Sequence, residues 1–397
     1  MVRYNLDDLQ EDMVLGESIF LPSGELLLAA GYRIKERYRE RLRQLGYKAV
    51  FINVEGTEGV VPEDTVSEAA QRDMSNAVED SSKELAGAIQ QFKSRSNEQV
   101  RNIIKENHLY LNKFIMSSGM IKALDQFVNE IMSQSAIVLN LSALQQTQSG
   151  LLNHALNVTI TSLCIGKKYK FSYEEMKQLG IGALNYDLGL IGLPKELLEK
   201  NHSEFNETEL KTYQQHTIFG FLMLSQNHMI PSTSAAVALQ HHEHQNGKGY
   251  PQGLKGDNRP PLKDFSRHNM IHRFAEIVAV ADTYDQFISG RRLQNIEACS
   301  VQTAIKKIIE LSEIKLNSEI VKTLLSIAPV YPVGARIRIT NAPTSQLVGY
   351  YGVIAKDNPS NLESPRIILY ESKNHQKIKP VLIDLSKYKG FSLELIV

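Results

Sequence analysis

The sequence predicts a mainly α protein: a helical bundle with a small N-terminal α/β module and a small C-terminal antiparallel β domain. Three observations carry that prediction. Apolar residues take a helical period from Val100 onward, the stretch from about Ser142 to Ala328 reads as almost wholly helical, and from Tyr331 the period drops to two. The chain has 397 residues, long enough for two or three domains, and the boundaries read as 1–55, 56–99, 100–328 and 329–397.

Within residues 1–55, SIFLPSGELLLAAG places two apolar runs around Pro22-Ser23-Gly24, which predicts a hairpin. A helix is expected from Ile34 to Leu45, stopped by Gly46, and then an apolar strand from Lys48 to Val54. No catalytic grouping lies here, so a docking or regulatory role is the expectation. Residues 56–99 are acidic, Ser-rich and poor in large apolar groups, and predict a linker running into a solvated helix.

Beyond it, Ile103, Ile104, Leu111, Phe114 and Ile115 form one stripe, continued by Ile121, Leu124, Phe127 and Ile131. Such a stripe suits either a homodimer or packing within its own domain. Ser172 with Glu175, and Asn206 with Glu209, are capping boxes that open helices, and Pro231 suits the first turn of the helix leading to His241. At the C-terminus Val333, Ala335, Ile337 and Ile339 alternate with Gly334, Arg336 and Arg338, and further apolar runs follow between turn signals.

Composition excludes several functions. Lys+Arg and Asp+Glu both number 44, so the formal charge is zero, unlike a protein that coats long nucleic acid. The two cysteines, Cys164 and Cys299, give no disulfide framework, as expected of a reducing compartment. No basic-then-apolar leader and no long apolar span is visible, so a soluble cytoplasmic protein is expected.

The chemistry concentrates between His216 and His272. Adjacent residues on a helix point about 100° apart, so His241 and His242 share a site only at a helix end or across two ions. With Asp187 and Asp282 as nearby carboxylates, imidazole and oxygen donors suit iron, manganese or zinc. Two such ions clamp an in-line phosphoryl displacement when they lie about 3.5–4 Å apart.

The run HHEHQNGKGYPQGLKG, from His241 to Gly256, resembles the signature of the HD-GYP family, bacterial phosphodiesterases of cyclic-di-GMP. NYDLGLIGLP, from Asn185 to Pro194, is similar to that family's HDIGKIGIP, and IVAVADTYDQFISGRR, ending at Arg292, to its VADVFDALTSDRPYR. The resemblance implies an HD-domain helical bundle holding one or two divalent ions, iron or manganese first and zinc next. It makes His154, Asp187 and Asp282 ligands of a first metal, and Asp187, His216, His241 and His242 ligands of a second. It gives Asp187 the bridging, catalytic place. Gly249, Tyr250, Pro251 and Arg291 become substrate-binding residues, and cyclic-di-GMP or a related cyclic dinucleotide the partner. A protein partner at the GYP loop or the N-terminal module is a further expectation.

The departures bear on activity. Tyr186 stands where the HD histidine is expected, and could ligate only as a phenolate, whose ordinary pKa near 10 demands a strong Lewis acid. Leu190 replaces the lysine of GKIG, Gly150 the glutamate of a third metal site, Asn246 the aspartate of DG, and Gln294 a late basic residue. His244, His268 and His272 are expected to be solvated or to support ligands, Lys248 and Arg292 to be surface charges as readily as phosphate contacts. His108, His202, His228 and His375 lie outside every motif. The reading is a cyclic-di-GMP-binding signalling protein with weak or absent hydrolysis; the alternative is an active phosphodiesterase using a metal-bridging hydroxide.

Overall fold

The computed structural model describes residues 1–20, 26–45, 47–89, 95–141, 150–263, 269–291 and 296–396. The predicted turn at Pro22-Ser23-Gly24, the stop at Gly46, and Ser142, His268, Arg292 and Gln294 lie outside them. The chain forms two units: Met1–Thr65, Ala136–Ser149 and Ile327–Val397 make the first, and Val66–Ser135 with Gly150–Ser326 the second.

In the first unit, β1 (Val2–Asn5), β2 (Val14–Leu15), β3 (Ile19–Phe20), β4 (Leu26–Leu28), α1 (Glu36–Gln44) and β5 (Ala49–Asn53) come from the N-terminal segment. Strands β1, β5 and β2 pair antiparallel in that order, and β3 pairs with β4 across the predicted hairpin. The C-terminal segment gives β6 (Arg336–Asn341), β7 (Tyr351–Lys356), β8 (Arg366–Glu371), β9 (Lys377–Asp384) and β10 (Ser392–Leu395), a sheet ordered β10-β6-β7-β8-β9. Ile337 and Ile339 are fully buried and alternate with Arg336 and Arg338, as the period of two requires.

The two terminal segments share one hydrophobic core. Val2, Leu15, Leu42 and Ile52 pack in the same cluster as Ile337, Ile339, Val353 and Ile367. The Arg3 amide also donates to the Gly334 carbonyl at 2.8 Å. Segments of roughly 60–70 residues bury a small share of their surface and are marginal by themselves, which is a physical reason for pooling.

The second unit is helical: α2 (Glu68–Ile89), α3 (Asn97–Glu106), α4 (His108–Leu111), α5 (Ser118–Ser133), α6 (Gly150–Lys168), α7 (Tyr173–Asn185), α8 (Lys195–Glu199), α9 (Glu207–Ser225), α10 (Ser232–Gln240), α11 (Arg273–Ser289), α12 (Val301–Leu311) and α13 (Ser318–Leu325). The boxes at Ser172/Glu175 and Asn206/Glu209 form as read, and Ser96 with Gln99 adds another. Helix α2 differs from its solvated expectation, because Ala70, Met74 and Leu85 bury one face. The stripe of α5 is buried inside this unit through Leu124, Phe127 and Ile131.

Helix α11 is buried from Phe274 to Gln286 and packs against α6, α10 and α12. A helix apolar on every side belongs in a core, so its few polar groups, Asp282 and Asp285 among them, are forced to find internal partners. Among the described residues no helix is long and apolar enough to cross a membrane.

Candidate metal centre

Helix ends and close packing assemble the site. Tyr186 caps the C-terminus of α7 and Asp187 follows it into a short 3-10 turn, Leu188–Gly192. Gly189 lets α9 lie directly on that turn: a Cβ there would fall 1.8 Å from the His216 carbonyl oxygen. This approach delivers His216 to Asp187. His241 is the C-cap of α10, so the chain leaves the helix between the two adjacent histidines and both rings turn to one point. Their centroids lie 4.1 Å apart.

Asp187, His216, His241 and His242 each offer a ligand atom within 4.8 Å of the others, and form a potential metal-holding group. Asp187 Oδ1 lies 3.6 Å from His216 Nε2 and 3.5 Å from His241 Nε2. The two Nε2 atoms are 3.5 Å apart. Donors held at about 2.1 Å around a tetrahedral ion sit roughly 3.4 Å from each other, so the spacing fits an ion.

The protonation states fit as well. His216 Nδ1 donates to the Tyr213 carbonyl at 2.7 Å, and His241 Nδ1 to Ala238 at 3.1 Å, which leaves both Nε2 lone pairs facing inward. Burial pushes His216 down to about 4 and lowers His242 well below its ordinary value. Burial acts to raise the Asp187 carboxyl, but the Arg291 charge and the histidines hold it well below the usual range. Neutral imidazoles at His216 and His242 and an ionised Asp187 are donors that a cation can use without displacing a proton from them.

A second group stands beside the first. His154, from α6, contacts Asp285 through Nδ1 at 2.6 Å and Asp282 through Nε2 at 2.8 Å. The Tyr186 hydroxyl, buried at 1% exposure, donates to Asp282 Oδ1 at 2.8 Å and lies 2.6 Å from His154 Nε2. Burial raises the phenol well above 10, so it carries its proton at neutral pH. Arg291 joins the groups: Nη2 donates to Asp187 Oδ2 at 2.6 Å and Nη1 sits 2.6 Å from His154 Nε2. Burial opposes the protonation of His154, but hydrogen bonds to Asp282 and Asp285 raise it to about 9. Proton and guanidinium are therefore alternatives at Nε2, since the Arg291 contact uses the bare lone pair.

The GYP loop borders the histidines. The Tyr250 ring stacks on His242, with centroids 4.7 Å apart and planes at 25°. At Gly249 a Cβ would meet the His242 carbonyl oxygen and the His244 amide at 2.4 Å, so the loop folds back in a way only glycine permits. Pro251 follows in the same loop through a cis peptide bond with Tyr250. Of the remaining histidines, His272 caps α11 by accepting from the Phe274 amide.

Several supporting residues went unread in the sequence. Asp285 stands one helical turn after Asp282, and the i, i+3 spacing was the available signal. Glu243 accepts from the Gln252 and Leu254 amides at 2.7 and 2.8 Å and so fastens the GYP loop. Lys315 enters from the turn between α12 and α13, whose backbone accepts from Gln245 and Asn246. Nothing local in sequence announces it.

The helical unit gathers imidazoles and a carboxylate from several helix ends around one point, a group that could hold a metal ion. The family model of the HD domain matches residues 136–320. A cyclic di-GMP phosphodiesterase of Pseudomonas aeruginosa is 21% identical over 264 residues, 66% of this chain and 58% of that protein. One of Thermotoga maritima is 34% identical over 143 residues, 36% of this chain and 35% of its own length. The chain thus spans less than two thirds of either relative. The solved structure of an HDG"Y"P protein from Bdellovibrio bacteriovorus aligns with a TM-score of 0.44 and 18% identity, covering 81% of this chain and 97% of that one.

Proposed function

We propose that the chain is an HD-GYP-type protein that binds a divalent metal and cyclic-di-GMP, or a related cyclic dinucleotide, with weak or absent hydrolysis. Asp187, His216, His241 and His242 would hold the ion, iron or manganese before zinc. When bound, such an ion polarises a phosphoryl oxygen and makes water a better nucleophile. Gly249, Tyr250 and Pro251 flank the site, and the stacked Tyr250 ring offers an aromatic surface of the kind on which bases lie.

The observation that carries weak hydrolysis is Tyr186. Where the pattern calls for an imidazole, a buried neutral phenol spends its hydrogen on Asp282. Leu190, buried in the following turn, supplies none of the positive charge that would stabilise a phosphorane-like transition state. The rival reading, an active phosphodiesterase, draws on the complete four-residue set and the ionised Asp187.

Turnover of cyclic-di-GMP by protein loaded anaerobically with Fe(II) or Mn(II), followed by chromatography, separates the two. Titration calorimetry is expected to show binding while chromatography shows no product above an Asp187→Ala control. Product formation that this substitution abolishes would establish the active enzyme instead.

A further inference from the structure

Arg291 occupies the space that a first metal ion would need. The resemblance assigns that ion to His154, Asp187 and Asp282. In the structure the guanidinium lies among all three, with Nη1 at 2.6 Å from His154 Nε2 and 3.6 Å from Asp282 Oδ1, and Nη2 at 2.6 Å from Asp187 Oδ2. Its side chain is 9% exposed. Tyr186 completes the enclosure with its hydroxyl on Asp282 and beside His154. Asp187 Oδ2 and Asp282 Oδ1, carboxylate oxygens that would face an ion, are thus already engaged by the Arg291 N–H and the Tyr186 O–H.

The backbone holds the arginine in place. Gly290 ends α11 at φ 75°, and a Cβ there would meet the Ala298 amide at 2.8 Å. The next residue, Arg291, exchanges backbone hydrogen bonds with Ile296 at 2.7 and 3.0 Å. The side chain therefore leaves the helix end already aimed between Asp187 and Asp282. Electrostatics favour the same arrangement: Asp187, Asp282 and Asp285 crowd one buried region, and a planar fork that reaches two of these carboxylates is a suitable fixed counter-ion.

We propose that Arg291 is a built-in cation in place of the first metal, so that the chain binds one ion, in the Asp187, His216, His241 and His242 set, and excludes a second. This rests on reading that set as a metal site, and is independent of whether any nucleotide binds. An arginine so engaged is a charge-compensating residue in the nucleotide-free protein.

The test is stoichiometry. The full chain, saturated with Mn(II), desalted and measured by elemental mass spectrometry, is expected to retain one ion per chain with the electron paramagnetic spectrum of an isolated ion. Two ions with an exchange-coupled spectrum would overturn the proposal while leaving the metal site intact. No retained ion would overturn both. His154→Gln is expected to keep the single ion, and its loss would show that His154 is a ligand. Tyr186→His combined with Arg291→Ala is expected to admit the second ion. A double variant that keeps its first ion, and so is folded, but gains no other would show that the arginine is not what excludes it.

Discussion

Tyr186 and Asp187 are neighbours with opposite assignments, and the contrast rests on where each side chain goes. Asp187 turns toward His216 and His241, while Tyr186 turns toward Asp282 and His154. Replacing Asp187 with Asn keeps the shape and removes the charge. Metal affinity is expected to fall by at least about 100-fold, measured by competition with a chelating dye, because changes merely behind a ligand already cost about 10–100-fold. His202 gives a pH test at a residue outside the four-residue set. Its ring packs between Phe205 and Tyr213, its Nε2 is buried without a hydrogen-bond partner among the described residues, and burial lowers it to about 4. A histidine depressed in the folded state contributes stability above about 6.5 that is lost as pH falls toward about 4. The midpoint of thermal unfolding is expected to fall less steeply across that window in His202→Phe.

At the scale of elements, the site depends on how helices end. His241 and His242 converge because α10 stops at His241. The GYP loop then returns over them, held by the Glu243 carboxylate on the Gln252 and Leu254 amides. Glu243→Ala leaves those amides without their acceptor, and a loss of about 1–3 kcal/mol is expected, read as faster hydrogen exchange confined to the loop. Gly249→Ala is expected to act through geometry instead. The added methyl collides with the backbone of His242 and His244, so metal affinity should fall although no ligand has changed.

At the scale of the molecule, the joint core of the first unit predicts that its two terminal segments stand or fall together. Ile339 is fully buried in the C-terminal sheet and belongs to the cluster that holds Val2 and Leu15. Ile339→Ala is expected to destabilise that unit by about 2–5 kcal/mol in denaturant. Amides of β1 and β5 should lose protection with those of β6, and metal content should not change. Protection retained in β1 and β5 would mean that the N-terminal segment has an adequate core of its own.

Local pattern was enough for much of this. Capping boxes at Ser172 and Asn206, the α11 sequence and the alternation from Val333 each depend on interactions a few residues apart, so the chain displays them directly. The run from His241 to Gly256 likewise marked the histidines and the GYP loop, because a helix end and a tight loop are short-range events. Other features depend on segments far apart in the chain. Only the fold could seat α9 on Gly189, pool the terminal segments in one core, or bring Lys315 to the histidine loop. Above all, only the fold could decide the surroundings of Arg291. The motif offered a guanidinium to a phosphate, whereas burial beside three carboxylates set by α7 and α11 gives it a nearer partner. A buried charge takes the neighbours that long-range packing supplies, and those neighbours are not written beside it in the sequence.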